Sequence, residues 1–281
     1  MDKNKKLIVI GGPTASGKTA LAVKLALEHG AEVFSADSRQ IYRELNIGVA
    51  RPTAEEMQGI PHHFINCVSI HEDYSVGRYE ADLLGALDTY YQSHDTAILV
   101  GGTGLYLKAI THGIDSFPDI PEAINAQLQA EWETSGLDPL TEELLQKDPA
   151  THATLDLQNP RRVLRALAVI RATGQPFSAF KSGENKERPF SIDYHIIQPD
   201  RDQLYDRINR RVNHMMELGL LEEARALYPF RHLKALETVG YSELFDYFDG
   251  TCTLQEAIDK IKQHTRNYAK RQTTWFRRYP S

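Results

Sequence analysis

The sequence predicts an α/β fold: a parallel sheet with helices on both faces forms a three-layer core, and an all-helical subdomain is inserted into it. Three observations lead there. Short apolar runs alternate with helical stretches through the first part of the chain, the pattern of parallel strands joined by crossover helices. Gly12-Pro13-Thr14-Ala15-Ser16-Gly17-Lys18-Thr19 fits G-x-x-x-x-G-K-[ST] and lies between an apolar run and an amphipathic one, the context of a phosphate loop, or P-loop. Between Ile114 and Arg188 no comparable strand occurs. There a helical pattern is broken at Pro118, Pro121, Pro139, Pro149, Pro160 and Pro176.

The elements follow in order. Leu7 to Ile10 is a buried strand, and Lys18 to His29 is a helix with Ala20, Leu21, Val23, Leu25, Ala26 and Leu27 along it. Glu32 to Ala36 reads as a second strand, Ile60 to Ile65 has turn and strand character, Val76 to Gln92 is helical, and Ala97 to Val100 is a further strand. Residues 114–188 form the helical insertion, so that 1–113 and 189–281 together make the core. Tyr194 to Gln198 returns as a strand. After Pro199 a helix opens with acidic residues in its first turn and runs to Val212; the remainder is helical, through Leu220 to Leu227 and from Leu254 to Tyr279.

The loop is built to hold a polyphosphate. Gly12 and Gly17 permit backbone angles that side chains forbid, so the loop amides turn inward as an anion nest. Lys18 adds a point charge, Thr19 can offer its hydroxyl to Mg²⁺, and the helix beginning near Lys18 adds its positive end. A nucleotide such as ATP is the commonest occupant of such a loop. However, where a hydrolase of this class ends a later strand with a Mg²⁺-binding aspartate, this chain runs from Val100 into Gly101-Gly102-Thr103-Gly104-Leu105-Tyr106. The nearest acidic candidate is Asp37, at the end of the second strand, where strand ends face the ligand crevice. It could act as a general base, bind magnesium, or merely cap a following helix. Arg207 and Arg211, four residues apart, share one helix face that could close over a phosphate or form a solvated stripe.

Composition is that of an ordinary globular chain, with 281 residues and a net charge of −6. The apolar runs are too short for a bilayer span, and Met1 to Lys6 lead into a strand rather than a signal-peptide core, so a cytoplasmic setting is expected. Cys67 and Cys252 lack the spacing of a metal site or a disulfide framework and read as small buried apolar residues. Positive charge is concentrated despite the acidic total. From Lys260 onward there is no acidic residue, and Arg161, Arg162, Arg165 and Arg171 lie on one helical stretch. Such faces attract phosphate backbones.

Six segments in this order resemble the tRNA dimethylallyltransferase (tRNA isopentenyltransferase) family, bacterial type: Gly12 to Thr19, Asp37-Ser38-Arg39-Gln40-Ile41-Tyr42, Gly101 to Tyr106, Asn159 to Leu167, Gly219 to Ala224, and Asn267 to Phe276. The resemblance covers nearly the whole chain. It implies transfer of a dimethylallyl group from dimethylallyl diphosphate to the exocyclic amine of adenosine 37, in tRNAs reading codons that begin with U, with release of diphosphate and Mg²⁺ as cofactor. Asp37 would be the catalytic base. Gly12, Pro13, Thr14, Ala15, Ser16, Gly17, Lys18 and Thr19 would hold the diphosphate, Thr19 through Mg²⁺, with one or both of Arg207 and Arg211 stabilising the leaving group. The flipped base would meet Asp37, Ser38, Arg39, Gln40 and Thr103. Arg161, Arg162, Val163, Leu164 and Arg165 would contact the tRNA, the insertion clamping the anticodon stem-loop of a monomeric enzyme.

Two departures stand out. Gly48-Val49-Ala50-Arg51-Pro52 replaces the common Gly-Thr-Ala-Lys-Pro, and Ala168 stands where a glutamate is common. The sequence stops at Trp275-Phe276-Arg277-Arg278-Tyr279-Pro280-Ser281, sooner than many members of that family, which suits a compact bacterial-type enzyme. A small-molecule kinase, an adenylate isopentenyltransferase and a non-catalytic RNA-binding module are the rival readings. The arginine clusters argue against the first two, and Asp37 beside an intact loop against the third.

Overall fold

The structure is a computed structural model in which residues 5–279, apart from 182 and 184, are described. Met1 to Asn4, Pro280 and Ser281 of the segments read above lie outside the described residues. The chain divides into two compact units, Met1–Gly113 with Glu187–Ser281, and Ile114–Lys186.

The first unit begins with β1 (Lys6–Gly11), α1 (Lys18–His29), β2 (Val33–Ser35), α2 (Ala54–Met57), β3 (His62–His63), α3 (Val76–Tyr90), β4 (Thr96–Gly101) and α4 (Gly104–Thr111). The second unit holds α5 (Glu122–Ser135), α6 (Asp138–Lys147), α7 (Pro149–Thr154) and α8 (Pro160–Thr173). The chain then returns to the first unit with β5 (Ser191–Ile196), α9 (Arg201–Glu217), α10 (Leu220–Leu227), α11 (Ser242–Phe248) and α12 (Leu254–Phe276).

The five strands pair in parallel in the order β3-β2-β4-β1-β5. Alternation along β1 sorts the layers. Leu7 and Val9 join a core with Tyr79, Leu83 and Leu87 of α3 and Leu107 and Ile110 of α4. Ile8 and Ile10 point the other way, onto Ala22 and Ala26 of α1. A strand buried on both faces needs such a continuous apolar run, which is why β1 and β4 were legible without alternation.

Three local readings are corrected by the structure. β5 starts before Tyr194 and ends at Ile196, because its register is fixed by parallel pairing with β1, Lys6 opposite Ser191 and Gly11 opposite Ile196. No helix follows Asp37; residues 38–44 form turns, and Asp37 Oδ1 accepts the amides of Arg39 at 2.9 Å and Gln40 at 3.2 Å. A short carboxylate that satisfies two successive amides holds a turn as readily as it caps a helix. Cys67 is exposed and so is no buried apolar residue, whereas Cys252 is half-buried and packs against the core.

In the second unit, Leu128, Leu140, Leu144, Val163, Leu167 and Ile170 form a core of their own. Val163 is fully buried there. Its side chain therefore belongs to the helix packing and cannot meet RNA, contrary to the reading of residues 161–165 as one contact stretch. Ala168, also buried in that core, fills a place where a glutamate would be costly to bury unpaired. Arg171 leaves the basic cluster as well: it forms ion pairs with Glu131 at 2.7 Å and Glu143 at 2.5 Å.

Candidate active site

The phosphate loop leaves β1 and enters α1 with Ala15 at φ 61° and Gly17 at φ 90°, a left-handed succession that turns the backbone around an open centre. Gly17 is the N-cap of α1 and has no side chain to satisfy the first amides of the helix. Among the described residues no hydrogen bond uses the amides of Ala15, Ser16 or Gly17, whereas Thr14 N donates to Gln272 Oε1 at 2.8 Å. Unsatisfied amides at a helix N-terminus form a ready anion site. Lys18 Nζ donates to Pro13 O at 2.6 Å. Burial brings its pKa down to about 8, with the charge of Asp37 pulling it up and that of Arg211 lowering it further. The site thus holds a cation at the cost of its hydration, which an incoming anion relieves. Thr19 is half-buried at the head of α1.

Asp37 lies just beyond the end of β2. Its Oδ1 is engaged by the turn amides, and among the described residues Oδ2 accepts no hydrogen bond. Beside it, Ser38 N donates to Thr103 Oγ1 at 3.1 Å and the Thr103 hydroxyl reaches Ser38 Oγ at 3.3 Å. This contact ties the end of β2 to the glycine turn after β4. The turn needs its glycines for space: a Cβ on Gly101 would stand 2.1 Å from Ala36 O, and one on Gly102 2.3 Å from Gln272 Nε2.

Arg39 and Gln40 do not reach into the site with their donors. The Arg39 guanidinium donates to the carbonyls of Lys234, Ala235 and Glu237, and Gln40 Nε2 to those of Val49 and Ala50. Both staple the Asp37 turn to its surroundings, so their expected role as base contacts becomes one of fixing Asp37. The Gly48 to Pro52 departure is explained nearby. Arg51 donates to the carbonyls of Tyr42, Arg43 and Leu45, and Glu223 accepts from Ile47 N at 2.8 Å, Gly48 N at 3.0 Å and Tyr241 OH at 2.5 Å. The cation here is a carbonyl clamp, and Val49 offers its backbone oxygen to Gln40 while its side chain packs against the core.

The two arginines on α9 now separate. Arg211 is half-buried and Nη1 donates to Thr14 Oγ1 at 3.2 Å; Arg207 is exposed. Burial lowers the Arg211 pKa, with Glu56 opposing, but a guanidinium stays charged. Ala15, Gly17, Arg207, Arg210 and Arg211 line a shallow cleft of about 460 Å³. It opens over the loop, as a polyanion site would require.

Sequence reasoning missed three residues on α12. Gln272, with 6% exposure, accepts from Thr14 N and donates from Nε2 to Gly102 O at 2.8 Å. Tyr268 stands at the Asp37 and Thr103 corner: partial burial and the Asp37 charge push its phenol up to about 12, while a hydrogen bond with Thr103 opposes. Trp275 covers Gly104, where a Cβ would lie 2.1 Å from its Nε1. The only signal was their membership of the Asn267 to Phe276 segment. On the outer side of α12, Asn267, Lys270, Arg271, Thr274 and Arg278 line a second, basic cleft of about 450 Å³ with Trp275.

The structure therefore gathers the loop, Asp37, Ser38, Thr103 and Arg211 at one end of the sheet, with the Asp37 carboxylate near enough to favour the charged form of Lys18. Arg161, Arg162 and Arg165 lie exposed on α8 of the second unit, Arg162 beside Asp156 at 3.9 Å and Arg165 over the Phe117 ring at 5.6 Å; Leu164 is half-buried. Among the described residues no group of three or more His, Cys, Asp or Glu is arranged to hold a metal ion. No helix among them is long and apolar enough to cross a membrane.

Comparison with known proteins was made against this geometry. The family described as IPP transferase matches residues 40–279. A tRNA dimethylallyltransferase of Cytophaga hutchinsonii is 48% identical over 273 residues, 97% of this chain and 90% of the relative. One from Christiangramia forsetii is 47% identical, covering 98% and 91%. Among solved structures, the tRNA isopentenylpyrophosphate transferase of Bacillus halodurans is similar with a TM-score of 0.70 and 40% identity over 98% of this chain and 88% of that one. A eukaryotic dimethylallyltransferase described as acting on tRNA has a TM-score of 0.82 and 27% identity, covering 97% of this chain and 70% of its own.

Proposed function

Because the chain belongs to the IPP transferase family, we propose that it transfers a dimethylallyl group from dimethylallyl diphosphate to the exocyclic amine of adenosine 37, in tRNAs reading codons that begin with U. It is a prenyltransferase that modifies tRNA, and diphosphate is the leaving group. One observation carries this reading: an anion nest with Lys18 and Arg211 stands beside a carboxylate, Asp37, while the β4 end that would hold an NTPase's metal is a glycine turn.

The chemistry follows from charge. As the allylic carbon–oxygen bond breaks, negative charge grows on the bridging oxygen. The nest amides, Lys18 and Arg211 are preorganised to meet it. An adenine exocyclic amine is a poor nucleophile because its lone pair is delocalised, so removal of its proton as the new bond forms lowers the barrier. Asp37 supplies the acceptor in Oδ2, since Oδ1 is held by the turn. The base reaches this carboxylate only when extruded from its stack. Thr103 and Tyr268 border the same corner.

Mg²⁺ fits this donor set as a phosphate-borne ion. The described residues offer a hydroxyl, Thr19, and among them no carboxylate cage, which suits a cation that keeps its waters and is bound chiefly through phosphate oxygens. When bound it neutralises charge on the departing diphosphate. The exposed arginines of α8 and the basic cleft of α12 are the surfaces proposed to hold the anticodon stem-loop, through phosphate contacts that weaken with salt.

The test is direct. Purified protein incubated with labelled dimethylallyl diphosphate and Mg²⁺ should label unmodified tRNA carrying adenosine 37 and leave AMP unlabelled. Label on free AMP, or phosphate transfer from ATP in place of prenyl transfer, overturns the proposal.

A further inference from the structure

We infer that Gln272 is a positioning residue for this reaction: one carboxamide on α12 sets the spacing between the loop that holds the leaving group and the turn that receives the nucleophile. The inference rests on the prenyl-transfer reading above and adds a residue to it. Oε1 accepts from Thr14 N at 2.8 Å, inside the phosphate loop, and Nε2 donates to Gly102 O at 2.8 Å, in the turn after β4. The side chain is 6% exposed, so neither bond is shared with bulk water. Gly102 has no room for a Cβ, since that atom would stand 2.3 Å from Nε2; the turn is shaped around this amide.

The consequence reaches both substrates. Thr14 is gripped twice, through its amide by Gln272 and through its hydroxyl by Arg211 at 3.2 Å. With Thr14 N occupied, the anion is left to the amides of Ala15, Ser16 and Gly17, which fixes how deep the diphosphate sits. On the other side, Gly102 precedes Thr103, whose hydroxyl holds Ser38 next to Asp37. Gln272 therefore links, without touching substrate, the cradle of the leaving group to the mount of the base. The carboxamide does this because one end accepts and the other donates, which an ionised carboxylate cannot do.

Two variants test it in the labelled-prenyl assay. Gln272→Met keeps the volume and removes both bonds. Gln272→Glu keeps the shape and the acceptor for Thr14, but in its ionised form sets an acceptor against Gly102 O and a negative charge beside the diphosphate. For both, kcat should fall about tenfold or more and the KM for prenyl diphosphate should rise, while the KM for tRNA stays within about twofold. The Gln272→Glu deficit should narrow, relative to the unaltered chain, as pH is lowered from about 8 to about 6, because the protonated acid restores a donor toward Gly102 and burial raises its pKa. A merely structural role would lower the amount of active protein without splitting the KM for prenyl diphosphate from the KM for tRNA. Unchanged kinetics in either variant, or a Gln272→Glu deficit that ignores pH, overturns the inference. If Gln272→Met does not fold, Gln272→Glu decides alone. Absence of transfer by the unaltered chain, measured first, would instead sink the prenyl-transfer reading.

Discussion

Arg211 donates from Nη1 to the hydroxyl of Thr14 in the phosphate loop at 3.2 Å, while Arg207, one helical turn earlier, lines the same cleft from its open side. The half-buried member of the pair is the one preorganised toward the diphosphate. Arg211→Ala should lower kcat/KM for prenyl diphosphate by about 10²- to 10³-fold, the range for removing one preorganised transition-state donor. Arg207→Ala should cost less than about tenfold, as a screened surface charge does. Equal losses in steady-state assays would show that the helix closes further onto substrate than this geometry implies. Arg211→Lys should not rescue, because a single ammonium cannot serve both Thr14 and the anion as a planar fork does.

Lys18 makes binding pH-dependent. Burial lowers its pKa from 10.5 to about 8, so the free site loses this charge as pH rises through about 8. The KM for prenyl diphosphate should therefore rise above that pH, and binding near it should take up a proton, seen as a buffer-dependent heat in calorimetry. Stability has the matching sign. Because the folded pKa lies below the unfolded one, the buried charge opposes folding below about pH 8, and this penalty fades between about 8 and 10.5. Lys18→Met should abolish activity yet stabilise the ligand-free protein at pH 7 by on the order of 2 kcal/mol. A lower Tm for that variant would contradict the assignment.

Arg39 tests whether the Asp37 turn is held by its own neighbours. Its guanidinium donates to three carbonyls from residues 234 to 237, two of them exposed and one part-buried, so Arg39→Ala should destabilise the protein by about 1 kcal/mol. Transfer should slow through kcat. A change confined to the KM for tRNA, with Tm unmoved, would restore Arg39 to the role of a base contact.

In the helical unit, Arg171 and Arg165 should part company. Hydrogen bonds from Arg171 hold the Glu131 and Glu143 carboxyls below their usual range, so their contribution is present at neutral pH and lost as pH falls through those depressed values. Arg171→Ala should lower Tm at pH 7 and much less in acid. Arg165→Ala should leave Tm unchanged and weaken tRNA binding, with a shallower salt dependence. The reverse pattern in thermal melts and filter binding would exchange their roles.

What could be read from the chain was what is encoded locally. Gly17 and the loop around it announce their geometry because backbone freedom is a property of the residue itself. Asp37 was placed correctly beside the loop by topology alone, since strand ends in a parallel sheet converge. Gln272 was invisible because its two partners, Thr14 and Gly102, lie far away in sequence and only the docking of α12 brings them together. The partners of the Arg39 guanidinium were hidden for the same reason, being carbonyls of residues 234 to 237, while Gln40 Nε2 reaches the nearer carbonyls of Val49 and Ala50. Val163 is a different case. It stands with Ala166, Leu167 and Ile170 on an apolar helical stripe, and reading that stripe first would have assigned it to the core.

Single-turnover prenyl transfer by Asp37→Asn, measured alongside its affinity for inorganic diphosphate, tests the central claim most directly. The amide keeps the turn's acceptor at Oδ1 and removes the proton acceptor, so transfer to adenosine 37 should fall by about 10²- to 10⁴-fold while diphosphate binds as it does to the unaltered chain. Transfer at the unaltered rate would show that Asp37 takes no proton, and the account of this site would be wrong.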